Sequence, residues 1–215
     1  MKEKILQKAL EQFLQFGTRE ISNVKLVETL GVSTKTLYKY FKNKEELLEQ
    51  ALHLYHDQQY RYLDSLSLDK NGACCFFDVW HYALEVEYHV NYKFFEDLHH
   101  YYPELAKKVE TAIDEKFREK FLQIIQNGIN DGSFQNDIIP MVVLDTVFLM
   151  HASIVRTEKF KEYHLSSFEI FLNTIVIYIK GLCSEEGLSL LQEHITSLAQ
   201  SVKLNKSVYH LTYRN

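Results

Sequence analysis

The chain has 215 residues, 46% hydrophobic and 13% aromatic, with 7 Gly, 2 Pro and 3 Cys. That is ample for an apolar core, too poor in Gly and Pro for turn-rich β architecture, and too poor in Cys for a disulfide scaffold. A formal net charge of −5 argues against a surface basic all over, and no run of about eighteen apolar residues suggests a membrane span.

Residues 2–16 repeat Ile5, Leu6, Ala9, Leu10, Phe13 and Leu14 at helical spacing, and Gly17 ends that helix. Ser22 is placed to cap a second helix carrying Leu26, Val27 and Leu30 on one face. Gly31 supplies the free backbone that a tight helix exit needs, and Val32 can plug the core beneath it. Ser33 then caps a third helix, in which Leu37 and Phe41 sit four apart and face inward. This leaves Thr34, Lys35, Thr36, Tyr38, Lys39 and Tyr40 for the other faces. Asn43, with Glu46 three residues on, resembles a capping box for the next helix. Lys44 falls in the first turn of that helix, against its dipole, and a nearby phosphate would remove the conflict.

Two short helices around a glycine turn form a helix-turn-helix, which places its second helix in the major groove of DNA. Local charge agrees. Residues 31–44 hold Lys35, Lys39, Lys42 and Lys44 and no acid, and residues 1–50 carry nine basic and seven acidic side chains. The remaining 15 basic and 22 acidic side chains make the rest of the chain acidic. Phosphate contact needs local basic residues, not a basic whole.

The pattern Ile5, Ala9-Leu10, Phe13, Gly17, Ser22, Leu26, Leu30-Gly31-Val32-Ser33, Thr36-Leu37-Tyr38-Lys39-Tyr40-Phe41, Lys44-Glu45 and Leu47 resembles the N-terminal domain of the TetR family of transcriptional regulators, over about residues 3–50. The resemblance implies a helical dimer, usually a repressor, that releases DNA when a small molecule enters its C-terminal part. It puts Ser22, Ser33, Thr34, Lys35, Thr36, Tyr38, Lys39 and Tyr40 among the DNA-binding positions, with Lys44 on a phosphate. Three residues depart from the family pattern. Val27 stands where a small residue is common, Lys35 where glycine is common, and Thr18 where an aromatic is common. Lys35 adds charge and reach at the start of the recognition helix.

Beyond residue 50 the pattern stays helical. Helices are expected over about 44–66, 73–89 and 91–101, with Asp69-Lys70-Asn71-Gly72 as the first break. Pro103 opens a helix to Asn130 or Asp131, with Gly132 as its exit. Asp137 is expected to cap the next helix, with Pro140 in its first turn, as far as about Lys159. Helices over 165–182 and from about Gly187 to Val202 follow, and the tail 205–215 carries no clear pattern. Residues 141–156 and 168–182 are apolar nearly all round, so these helices should be buried on more than one side. One face can meet the core and the other a second copy of the chain. A twofold dimer through about 141–182 would fit a palindromic operator.

Aromatics crowd between residues 76 and 102. Trp80, Tyr88, Phe95, Phe121, Phe148 and His151 are candidate walls of a pocket for an unidentified small-molecule effector. Any one of them also fits plain core packing. His53 and His56, or His99 and His100, do not make a zinc set, and Cys74, Cys75 and Cys183 are expected to be reduced thiols. No nucleotide loop, nucleophile elbow or dinucleotide fingerprint occurs, so no catalytic residues, cofactor or metal are expected.

The expected fold is all-α, with an N-terminal helix-turn-helix domain at 1–48, its motif at about 21–40, and a helical effector-binding and dimerisation domain at 49–215. The expected protein is a cytoplasmic homodimeric regulator of double-stranded DNA, without membrane contact. The alternative is a helical small-molecule-binding or protein-interaction module that has lost DNA binding.

Overall fold

The computed structural model describes residues 1–65 and 70–204. The expected break at Asp69 and the tail 205–215 lie outside the described residues. The chain forms α1 (Lys2–Phe16), α2 (Asn23–Leu30), α3 (Thr34–Tyr40), α4 (Lys44–Ser65), α5 (Gly72–Tyr88), α6 (Tyr92–Tyr101), α7 (Pro103–Asn130), α8 (Pro140–Val155), α9 (Ser167–Leu172), α10 (Ile175–Leu182) and α11 (Glu185–Leu204). A 3-10 turn at Lys159–Tyr163 joins α8 to α9. Among the described residues no strand forms, and one isolated backbone bridge pairs Phe134 with Cys183.

Two buried clusters organise these helices. The first joins Ile5, Phe13, Leu26, Leu37, Phe41 and Leu48 of the N-terminal helices to Phe94, Leu98 and Val109 of α6 and α7. The second gathers around α5, where Phe76, Phe77, Trp80 and Leu84 meet Phe121, Leu144, Phe171 and Val176. Helix α4 serves both, through Leu47 to Tyr55 in the first and Leu63 in the second. The expected domain division at residue 48 therefore falls within a continuous helix. At the α5–α7 crossing, a Cβ on Gly72 would lie 2.3 Å from the Gly128 backbone, so the two helices touch main chain to main chain.

Four sequence expectations change. The single helix over 165–182 is two, because Asn173 and Thr174 turn their side chains back onto the Glu169 and Ile170 carbonyls, at 2.8 and 2.6 Å. Such bonds compete with the helical ladder, and Thr174 leaves helical geometry at φ −130° and ψ −93°. Helix α8 stops at Val155 rather than near Lys159, where the Arg156 guanidinium turns over the Phe95 ring at 5.3 Å. Asp137 does not cap α8; the cap position is Ile139, with no side-chain bond, and Pro140 at the first helical position starts the helix. Asn43 caps α4 by accepting from the Glu46 N–H at 2.8 Å, but the Glu46 carboxylate accepts from the Lys42 N–H, not from Asn43.

Helix α11 is held to α5 by a polar clasp. Asp78 accepts from the Lys70 ammonium and pairs with His194 Nε2, each at 2.6 Å. Burial opposes the Asp78 charge, yet the bonds from His194 and Lys70 outweigh it and keep the carboxyl below its usual range. His56, His81 and His151 are pushed the other way for imidazoles. Burial lowers all three, to about 4 for His56.

These shifts fix the acid limb of stability. A buried neutral histidine takes its proton more readily in the unfolded chain, whose imidazoles titrate near about 6.5. Stability should fall as pH drops from about 7 to 5. Asp78, with its folded pKa depressed, contributes stability above the ordinary carboxylate range that is lost below about pH 4. Urea midpoints measured across pH should show both limbs, and Asp78→Asn should shrink the lower one and cost about 1–2 kcal/mol at neutral pH. A midpoint flat from pH 7 to 5 would contradict the histidine assignment.

Candidate nucleic-acid interface

Local capping sets the geometry of α2 and α3. Ser22 Oγ accepts from the Lys25 N–H at 3.2 Å, and Ser33 Oγ from the Thr36 N–H at 3.1 Å. Between the helices Gly31 takes the left-handed conformation, φ 64° and ψ 33°. Leu37 and Phe41 are buried and anchor α3 from below. Thr34, Lys35, Tyr38 and Lys39 are exposed, and Thr36 and Tyr40 half-buried. The basic strip thus lies on the face that the anchors leave outward.

The candidate residues divide by what they already touch. Ser22 and Ser33 hold helix caps, and the Ser33 hydroxyl also shares a hydrogen bond with Thr36 Oγ1 at 2.9 Å. Lys39 extends over the Tyr40 ring, 5.9 Å from its centroid. Lys44 lies apart from the strip. Its ammonium donates to the Thr18 carbonyl, burial lowers its pKa, and the Asp97 carboxylate partly offsets that. A phosphate expected beside Lys44 would therefore compete with a backbone oxygen that already holds the ammonium. Thr18, which stands where the resembled family commonly has an aromatic, is fully buried, and its hydroxyl has no hydrogen-bond partner among the described residues.

Sequence reading missed Asn23. Its side-chain amide donates to the Tyr38 hydroxyl oxygen at 2.8 Å, tying the start of α2 to the outer face of α3. With that oxygen accepting from Asn23, the Tyr38 O–H proton remains free to point outward to an acceptor such as a phosphate oxygen. The signal was hard to see, because Asn23 and Tyr38 are fifteen positions apart and meet only once the turn is formed.

The N-terminal helices are clasped to α6. Asn91 donates from its N–H to the Leu14 carbonyl at 2.8 Å and from its side chain to the Gln15 carbonyl at 3.1 Å. Asp97 of α6 accepts from the Arg19 N–H at 2.8 Å. Helix α6 therefore holds the end of α1 and the segment before α2.

Of the six candidate pocket residues, the structure gathers four. Trp80 lies 4.9 Å from Phe121, 5.0 Å from Phe148 and 5.5 Å from His151, measured between ring centroids. Tyr88 is turned away, its hydroxyl donating to the Phe160 carbonyl at 3.3 Å. Phe95 belongs to the other cluster, beneath Arg156. Among the described residues no group of three or more His, Cys, Asp or Glu could hold a metal. Burial raises the thiols of Cys75 and Cys183 to about 11, so they stay uncharged.

Residues 5–51 match the family of bacterial regulatory proteins, tetR family. The HTH-type transcriptional repressor KstR2 of Mycolicibacterium smegmatis (strain ATCC 700084 / mc(2)155) is 27% identical over 143 residues, 64% of this chain and 69% of that protein. KstR2 of Rhodococcus jostii (strain RHA1) is 22% identical over 139 residues, 63% of this chain and 68% of that protein. Among solved structures, FadR of Bacillus subtilis in complex with stearoyl-CoA superposes with TM-score 0.61 at 16% identity, covering 85% of this chain and 100% of that one. A TetR-family protein from Rhodococcus sp. gives 0.66 at 18% identity, covering 85% and 98%.

The Asn23–Tyr38 bond yields a direct test by DNA affinity. Tyr38→Phe should weaken binding to all sequences alike, because a phosphate contact positions without specifying. Asn23→Ala should weaken it less, and should have no further effect in the Tyr38→Phe background. Additive losses would show that Asn23 does not act through Tyr38.

Proposed function

We propose that this TetR-family transcriptional regulator acts as a homodimeric, ligand-responsive repressor on a palindromic operator. The observation that carries the reading is the outer face of α3, where Lys35, Tyr38 and Lys39 are exposed above the buried pair Leu37 and Phe41. A helix so anchored can enter the major groove with its basic side chains forward. Lys35, at the helix start, is the residue proposed to reach a base edge; Tyr38 and Lys39 are proposed to hold the backbone.

Pairing is supported by an outward apolar face. Val142 and Leu149 of α8, seven residues apart, are 56% and 70% exposed, and Ile177 of α10 is 62% exposed. Gly181 follows Ile177 by one turn, and a Cβ there would meet nothing within 4 Å. Among the described residues no neighbour requires a glycine at that position. A second copy crossing at Gly181 could bring its backbone close, and the face would then be covered on both molecules. Such a dimer presents two α3 helices to successive major grooves, about 34–36 Å apart.

Ligand response is supported by the aromatic group around Trp80 and by α4 and α7, which carry residues of both buried clusters. The stearoyl-CoA complex of FadR is a small-molecule complex of a protein with this fold. The effector of this chain is proposed to enter among Trp80, Phe121, Phe148 and His151.

The test is selection of DNA from a random palindrome library at low salt, followed by affinity against salt concentration. The reading expects a selected inverted repeat and a steep loss with salt, of about one counterion per phosphate contact. No selected sequence would favour the module that has lost DNA binding. Gly181→Arg should give monomers by light scattering, with operator affinity reduced at least about tenfold, whereas Ser189→Arg on the exposed side of α11 should stay dimeric. A Gly181→Arg protein that remains a dimer would place the interface elsewhere.

A further inference from the structure

Two buried polar atoms at the centre of the second cluster have no hydrogen-bond partner: Trp80 Nε1 and His151 Nε2. Trp80 is 1% exposed and His151 7%. Their rings share one wall, with centroids 5.5 Å apart. A buried polar atom is normally paired, and an orphan is costly. Two orphans on adjoining rings point to a group that visits both.

The chemistry of that group follows from the two atoms. Trp80 Nε1 carries a hydrogen and can only donate. The protonation of His151 is set by its surroundings. Burial disfavours the charged ring most strongly and lowers its pKa, while Glu87 and the Ala83 carbonyl act in the opposite sense. Glu87 Oε2 lies 3.8 Å from His151 Nδ1. The Glu87 carboxylate beside Nδ1 favours the tautomer with the proton there, which leaves Nε2 a lone pair. The two adjoining rings then offer one donor and one acceptor.

A hydroxyl satisfies both, accepting from Trp80 and donating to His151. An anion would meet the His151 lone pair with Glu87 behind it, and a cation would meet the Trp80 N–H. The Glu87 carboxylate is itself occupied, accepting from the Tyr55 hydroxyl at 3.2 Å and the Gln59 amide at 3.3 Å. The flanking walls are the faces and edges of Phe121 and Phe148, which suit a flat ring. Phe148 is half-buried and covers Trp80 at 5.0 Å. Unlike Phe121 and His151, it is not fully buried.

We propose that the Trp80–His151 pair binds the hydroxyl of an uncharged, flat, ring-bearing molecule, which enters by displacing Phe148. The proposal rests on the effector reading above and gives it a ligand class.

Trp80 is the sole tryptophan of the chain, so its fluorescence reports on the site directly. Phenol, 2-naphthol and 9-phenanthrol are titrated against benzene, naphthalene and phenanthrene, on the full chain, with DNA affinity read in the same samples. At least one hydroxylated probe should bind about tenfold or more tighter than its parent hydrocarbon, since a site built for a hydroxyl discriminates against its loss. His151→Phe should erase that advantage. Trp80→Phe, followed by calorimetry, should do the same, and Phe148→Ala should tighten both members of each pair. No hydroxyl advantage in any pair, or an advantage that survives both His151→Phe and Trp80→Phe, overturns the site. If the advantage depends on the pair but DNA affinity does not move, the site stands and the effector reading falls. If a probe releases DNA while its binding ignores both substitutions, the effector reading stands and this site falls.

Discussion

A seven-residue helix cannot hold itself together in water, yet the surface proposed to meet DNA sits on one. Helix α3 exists because Ser33 caps its start and because Leu37 and Phe41 are buried beneath it. The cap contributes about 1 kcal/mol and each buried anchor about 2–3 kcal/mol. Packing, not intrinsic helix propensity, therefore fixes which side chains point outward. Lys35, Tyr38 and Lys39 are exposed because the other stripe is committed to the core.

That core does not stop at the helix-turn-helix. Phe94 and Leu98 of α6 and Val109 of α7 are buried with Leu26, Leu37 and Phe41 in one cluster. Asn91 and Asp97 add hydrogen bonds to the backbone at Leu14, Gln15 and Arg19. A shift of α6 therefore has a short physical route to α2 and α3, through packed side chains and these bonds. The same helix also sits near Lys44, whose ammonium lies between the Thr18 carbonyl and the field of Asp97. Helix α6 and the helix-turn-helix thus share a packing unit rather than a flexible linker.

Much of this was legible in the sequence, for local reasons. The caps at Ser22, Ser33 and Asn43, the exits at Gly31 and Gly132, and the inward pair Leu37 and Phe41 all depend on residues a few positions apart. The all-α fold followed from helical spacing and the scarcity of Gly and Pro. What stayed hidden depends on residues far apart in the chain. Asn23 on Tyr38, Lys44 on Thr18, and the separation of Phe95 from Trp80 appear only when helices meet. The break at Asn173 and Thr174 was local but masked, since an unbroken apolar pattern runs through it while two side chains take the carbonyls the helix needs. The apolar surface of Val142, Leu149 and Ile177 could be anticipated as excess hydrophobicity, though not which residues would be left outside.

The central claim is that two copies of α3 read DNA from one face of the duplex. Hydroxyl-radical footprinting on a selected operator tests it most directly. The account predicts two protected stretches, related by twofold symmetry and centred about one helical turn apart, with protection at both reduced together by Lys35→Ala and Lys39→Ala. A single protected stretch, or protection indifferent to both lysines, would contradict it.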